Sequence, residues 1–121
     1  MAFLRFEDLR VFKLAEKLCD DIWGIAISWK HFEKNTIGMQ LVKAADSIGA
    51  NVAEGAGRGM PKDNKRFIRI SRGSLNETKY WLRRAMRRKL INEKQSAFLW
   101  EMIDELGPSL NAYLKSIGRE K

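Results

Sequence analysis

The side chains best equipped for chemistry in this chain are cations gathered on one stretch. Residues 61–90 hold Lys62, Lys65, Arg66, Arg69, Arg72, Lys79, Arg83, Arg84, Arg87, Arg88 and Lys89, opposed only by Asp63 and Glu77. That stretch is +9; the other 91 residues carry 12 basic and 13 acidic groups, or −1, which leaves the chain at +8. Charge that served solubility alone would be spread over the surface. Concentrated on one element, it suits a polyanionic partner, RNA or DNA. Guanidinium groups make forked hydrogen bonds to phosphate that an ammonium cannot copy. Lys65, Arg66, Arg69, Arg72, Arg83, Arg84, Arg87 and Arg88 are the residues expected to make such contacts. No aromatic residue is expected to interleave these cations on the polar side, so backbone contact without base stacking is expected.

A second constellation is Ser47, Asn51, Glu54 and Arg58. Their spacing of 4, 3 and 4 places them on one face of a helix, beside its apolar stripe. Polar groups at the edge of a core need partners. A hydrogen-bonded network that fixes helix packing or a subunit contact is favoured over a ligand site, because no nucleophile–base pair emerges.

Other candidates for catalysis or ligation fail on spacing. His31 is the only histidine and has no nucleophile or orienting acid in register. Cys19 falls on an apolar stripe and reads as a small hydrophobe. There is no CxxC, no HExxH and no Glu-x-x-His pair, so neither metal nor cofactor is expected. Asp20-Asp21 and Asp104-Glu105 are neighbours in sequence, which diverge around a helix. The glycines at 55, 57 and 59 follow a helix instead of a strand, and no Lys-Ser/Thr pair comes after them, so they read as a cap and turn. No enzymatic activity is expected.

The elements that must position these residues are helical. Proline occurs only at 61 and 108. The first helix is expected over about residues 8–29, capped by Asp8, with Leu9, Phe12, Ala15, Cys19, Ile22, Ala26 and Trp29 on its apolar stripe. A polar connection over residues 30–35 leads to a second helix capped by Thr36. Its buried face is Ile37, Leu41, Ala44, Ala45, Ile48, Val52 and Gly55, and its many small residues invite close approach by a neighbour. Gly55, Gly57 and Gly59 are expected to end it. The third helix begins at Pro61, where a missing N–H is harmless, and runs for about 30 residues, roughly 45 Å. Phe67, Ile70, Ser74, Thr78, Trp81, Leu82 and Ala85 form its apolar side. Asn92 and Gln95 have the spacing of a capping box for the fourth helix. Its seam of Leu99, Ile103, Leu106, Leu110, Leu114 and Ile117 keeps register across Gly107-Pro108, which predicts one helix kinked near Pro108. Four amphipathic helices with short connections predict an all-α, antiparallel up-down four-helix bundle, with residues 1–121 as a single domain.

The 45% hydrophobic content fits a globular chain. One cysteine permits no internal disulfide and suits a cytoplasmic protein. No leader or membrane-spanning stretch is legible, so no membrane association is expected.

The run Ala44-Ala45-Asp46-Ser47-Ile48-Gly49-Ala50-Asn51-Val52-Ala53-Glu54-Gly55-Ala56-Gly57-Arg58 resembles the signature of the 23S rRNA-intervening-sequence proteins. Phe67, Ile70, Gly73-Ser74 and Glu77 match its second half, and Phe6-Glu7-Asp8-Leu9 with Val11 is a similar opening. The resemblance implies a bacterial up-down four-helix bundle that assembles as a ring-shaped homopentamer and has no catalytic residues. It adds Ser74 and Glu77 to the polar network or subunit contact. A similar protein is the accessory factor of diversity-generating retroelements, which implies a reverse transcriptase or another nucleic-acid enzyme as a possible partner. Met60 departs from the pattern, where a Ser often caps the third helix. The tail Arg83-Arg84-Ala85-Met86-Arg87-Arg88-Lys89 is more basic than the pattern. Two functions stay open on these grounds: a non-catalytic nucleic-acid-binding scaffold, and an oligomeric scaffold that docks an acidic protein.

Overall fold

A computed structural model describes residues 5–119, so the outermost ends of the expected domain lie outside the described residues. A 3-10 turn, Phe6–Asp8, precedes helix α1 (Arg10–Ala26). One turn of α-helix, α2 (His31–Glu33), runs through a π-helical segment, Lys34–Gly38, into α3 (Met39–Ala56). Helix α4 (Pro61–Arg87) is the basic element, and α5 (Glu93–Ser116) completes the described chain. The four long helices are the four expected from the sequence, and no strand occurs among the described residues.

Each long helix packs against two others, α1 against α3 and α5, and α4 against the same pair. Along the α3–α4 contact, Ser47 meets Ser74, Ile48 meets Ser71 and Gly55 meets Asn64. The core is one cluster drawn from all four helices. Every residue of the stripe expected for the second helix is buried, Ile37 in the π segment and the rest on α3. On α5 Leu99, Ile103, Leu106, Leu110 and Ile117 are buried as expected, and Leu114 packs half-buried beside them. The capping box is present: the Gln95 N–H donates to Asn92 Oδ1 at 2.7 Å, and the Asn92 N–H donates to Gln95 Oε1 at 3.0 Å. Pro108 lies inside a single continuous helix. Its ring supplies no donor to the Asp104 carbonyl. One residue on, the Ser109 hydroxyl donates to the Glu105 carbonyl at 2.9 Å.

Several local expectations are corrected. Asp8 does not cap α1; it ends the 3-10 turn and accepts from Arg5 Nε at 3.2 Å, while Leu9 occupies the cap without a side-chain bond. The buried stripe of α1 is Val11, Ala15, Leu18, Ile22 and Ala26, so Val11 and Leu18 replace Leu9, Phe12 and Cys19, which are only half-buried at its margin. The 30–35 connection is largely helical. Thr36 is inside the π segment, where its hydroxyl donates to the Phe32 carbonyl at 2.8 Å instead of capping a helix. Trp29 braces this corner. Its ring lies against Gly38, and its indole N–H donates to the Leu90 carbonyl at 3.0 Å.

The glycines at 55, 57 and 59 also divide by role. Gly55 is buried inside the helix, and a Cβ there would sit 2.6 Å from Asn64 Oδ1 and 3.0 Å from Phe67 Cβ. It serves close approach, not capping. Gly57 is the cap residue, and Gly59, at φ 81°, makes the left-handed turn into Pro61. At the other end of α4 a Schellman motif closes the helix: the Leu90 N–H donates to the Ala85 carbonyl and the Lys89 N–H to that of Met86. Lys89 occupies the left-handed position of this motif, at φ 61°.

Candidate nucleic-acid interface

Helix α4 turns a different seam inward than its most hydrophobic residues suggest. The buried positions are Asn64, Ile68, Ser71, Leu75, Thr78, Leu82 and Ala85, a strict 4, 3 alternation. The buried side is rotated by about one residue from the expected one. Thr78, Leu82 and Ala85 are buried as expected; Ile70 is exposed, and Phe67, Ser74 and Trp81 are half-exposed. Three polar residues hold buried positions, two of them with their hydroxyls satisfied. The Ser71 hydroxyl donates to the Ile48 carbonyl at 2.7 Å, and that of Thr78 to the Ser74 carbonyl at 2.8 Å. Asn64 Nδ2 donates to the Tyr113 hydroxyl at 3.4 Å, while its buried Oδ1, set against Gly55, has no hydrogen-bond partner among the described residues.

This rotation sets where the cations stand. Arg66, Arg69, Arg72, Arg83, Arg87 and Arg88 are exposed, and Lys65 and Arg84 are half-exposed. The ion pairs among the described residues join Arg5 to Asp8, Arg10 to Glu105, Lys17 to Asp21 and Arg58 to Glu54. None uses any of those eight side chains. Arg72 donates to Asn111 Oδ1 at 3.1 Å, and the Arg66 guanidinium lies over the Phe67 ring at 4.6 Å. The rest of the set faces solvent uncompensated. Arg83, Arg84 and Arg87 line a shallow cleft of about 440 Å³ with Met86. At spacings of one, three and four residues along the helix, each of these guanidinium groups can donate to phosphate oxygens.

Aromatic side chains interrupt the basic face, contrary to the expectation from sequence. Tyr80 is 53% exposed and meets Trp81 edge-on at 4.9 Å. Phe32, on α2, is 72% exposed. Both line a cleft of about 840 Å³ whose other walls include Trp81 and Arg88. The signal is present in the chain: Tyr80, Arg84 and Arg88 recur every four residues. It is masked because Trp81 reads as core and α2 as a polar connection.

The polar set is brought together in part. Ser47 Oγ and Ser74 Oγ are 2.9 Å apart across the α3–α4 contact, and Asn51 Nδ2 donates to both the Ser47 carbonyl and its hydroxyl, at 2.8 and 3.0 Å. Glu54 and Arg58 form their own pair at 3.0 Å, with the Arg58 guanidinium 4.8 Å from the centre of the Phe67 ring. Glu77 stands apart and accepts from the Trp81 indole at 3.2 Å. His31 is exposed at the start of α2 beside Asn35. Cys19 is half-buried, and its thiol pKa is pushed up to about 12 by burial, then by the neighbouring Asp46 carboxylate. A thiol held protonated is a poor nucleophile. Among the described residues no cluster of three or more His, Cys, Asp or Glu side chains is placed to hold a metal, and no helix is long and apolar enough to cross a membrane.

The sequence pattern of residues 7–112 matches the model of the 23S rRNA-intervening sequence protein family. The chain belongs to that family. Its fold is similar to the crystal structure of a protein of unknown function from the S23 ribosomal protein family of Bacteroides thetaiotaomicron. The two share 21% identity at a TM-score of 0.77, over 87% of this chain and 98% of that one. A comparison with curated proteins gave no match. The neighbour supports the helical architecture; the α4 surface described above belongs to this chain's own sequence.

Proposed function

We propose that this protein is a non-catalytic nucleic-acid-binding scaffold that grips RNA or DNA phosphates through the basic face of α4. The observation that carries this reading is the set of solvent-facing guanidinium groups on α4 without carboxylate partners. Left uncompensated, such a row repels itself, and a polyanion relieves the repulsion while releasing its own counterions. Family membership is consistent with an rRNA-related setting, and the place of action on this reading is the cytoplasm.

The architecture proposed for the scaffold is an antiparallel up-down bundle with α5 bent at Pro108. The paired contacts support it: as residue numbers rise from 47 to 55 on α3, those of the partners on α4 fall from 74 to 64. The working assembly is a homo-oligomer, with five subunits on the family resemblance. The polar set of Ser47, Asn51, Glu54, Arg58, Ser74 and Glu77, with half-exposed Phe67 and exposed Ile70 beside it, is its proposed contact. Repeating α4 around a ring would turn weak phosphate contacts into avidity. A reverse transcriptase or other nucleic-acid enzyme is the class of protein such a ring would serve.

The test is fluorescence anisotropy with labelled RNA and DNA over a salt series. Binding is expected to fall steeply with salt. Replacing Arg83, Arg84, Arg87 and Arg88 together with Gln should weaken it by about tenfold or more and flatten the slope by about 0.7–0.9 for each phosphate no longer engaged, with helicity retained. Affinity unchanged by the four substitutions would remove α4 from the interface.

A further inference from the structure

Resting on that phosphate-binding reading, we propose that the cleft between α2 and the end of α4 is a nucleobase pocket, which makes single-stranded nucleic acid the preferred ligand over a duplex. The cleft measures about 840 Å³, within the usual range of small-ligand sites. Its walls combine three chemistries. Phe32 and Tyr80 are exposed, at 72% and 53%, and every base has a π face to lay against such rings. Asn35, Gln40 and Glu33 supply polar groups suited to base edges. Arg88 is also part of the wall, one helical turn from Arg84, and joins the cleft to the row of cations on α4.

Glu33 favours the base edge over the phosphate on its side of the cleft. A carboxylate in the wall repels phosphate but accepts from the amino group of a base. On this proposal the phosphates lie on the arginines of α4, Arg88 in the cleft wall included, while the base lies toward Glu33 and the rings. In a duplex the bases are stacked and paired, and none can enter without being flipped out, at an energetic cost. Solvent-exposed aromatic rings carry an apolar surface that a purely phosphate-tracking face does not need. Trp29 holds the corner rigid: it rests on Gly38 of the π segment and bonds to the Leu90 carbonyl beyond α4. The two sides of the cleft are thereby tied together.

The experiment uses the full chain with single-stranded RNA, single-stranded DNA and a duplex of the same RNA sequence, the single strands carrying 2-aminopurine. Single strands of either sugar should bind about tenfold or more tightly than the duplex, and the 2-aminopurine emission should change on binding. Tyr80→Ala and Phe32→Ala should each weaken single-strand binding by about tenfold, the range for removal of one stacked ring. The emission change should disappear while the salt slope, which counts phosphates, stays the same. Tyr80→Phe should bind as the parent does. Equal affinity for single strand and duplex, or aromatic variants with parental affinity, would overturn the base pocket and leave the phosphate reading standing. A fall in oligomer mass in the aromatic variants would overturn it too, by making the rings a subunit contact. No binding of any probe at low salt would overturn both readings.

Discussion

Helices α4 and α5 bury seams of opposite character. That of α5 is Leu99, Ile103, Leu106 and Leu110, all but closed to solvent, with Ser96 at its start the one polar member. That of α4 alternates aliphatic with polar residues: Asn64, Ile68, Ser71, Leu75, Thr78, Leu82. On α5 the adhesion is apolar area and dispersion, which tolerates small shifts. On α4 it depends on position, because a buried hydroxyl is stabilising only while its acceptor is in reach. The α3 surface opposite includes small residues: Ser47 meets Ser74, and Gly55 comes against Asn64 and Phe67. A seam of hydroxyls and glycine gives up burial energy and gains a defined register. That register holds the arginines at fixed angles around the bundle.

Substitutions can break this contrast. Leu106→Ala, at a fully buried site, should destabilise by about 2–5 kcal/mol in chemical denaturation. A loss below about 1 kcal/mol would mean that the α5 seam is not the main apolar adhesive. Gly55→Ala should cost about 1–3 kcal/mol through crowding of the contact with α4, although alanine favours a helix elsewhere. Gly24→Ala is its control, since a Cβ at Gly24 meets nothing within 4 Å. Equal midpoints for the two would refute close approach at Gly55. Ser71→Ala should cost the least, about 0.5–1.5 kcal/mol for one neutral hydrogen bond. Stabilisation by that change would show that the hydroxyl is a burden on the seam.

The same contrast explains what is legible in the chain. The seam of α5, the stripe of α3 and the Asn92–Gln95 box can be read because leucine, isoleucine and capping residues have unambiguous preferences. The seam of α4 cannot. Its buried Asn64, Ser71 and Thr78 look like surface, whereas Phe67, Ile70 and Trp81 look like core, so the most apolar spacing misplaces the face by one residue. Residues 31–38 are hidden for a related reason. Only Ile37 and Gly38 of that stretch are buried, so it carries no repeating stripe, and Lys34, Asn35 and Thr36 read as a loop. The basic residues are plain from composition. The aromatic rings beside them are not, because their exposure depends on the rotation of α4 and on the helical path of α2.

Lys89 carries a consequence of its own. A side chain in left-handed backbone gives up about 1–2 kcal/mol relative to its ordinary conformations, and glycine is the usual solution at that position. Here the position holds a cation directly after Arg87 and Arg88. Replacing it with glycine would relax the backbone and remove a positive charge in the same step. At this one dihedral angle the demands of a durable protein and of a charged one pull in opposite directions, so selection for heat resistance alone would be expected to erode the end of the basic row first.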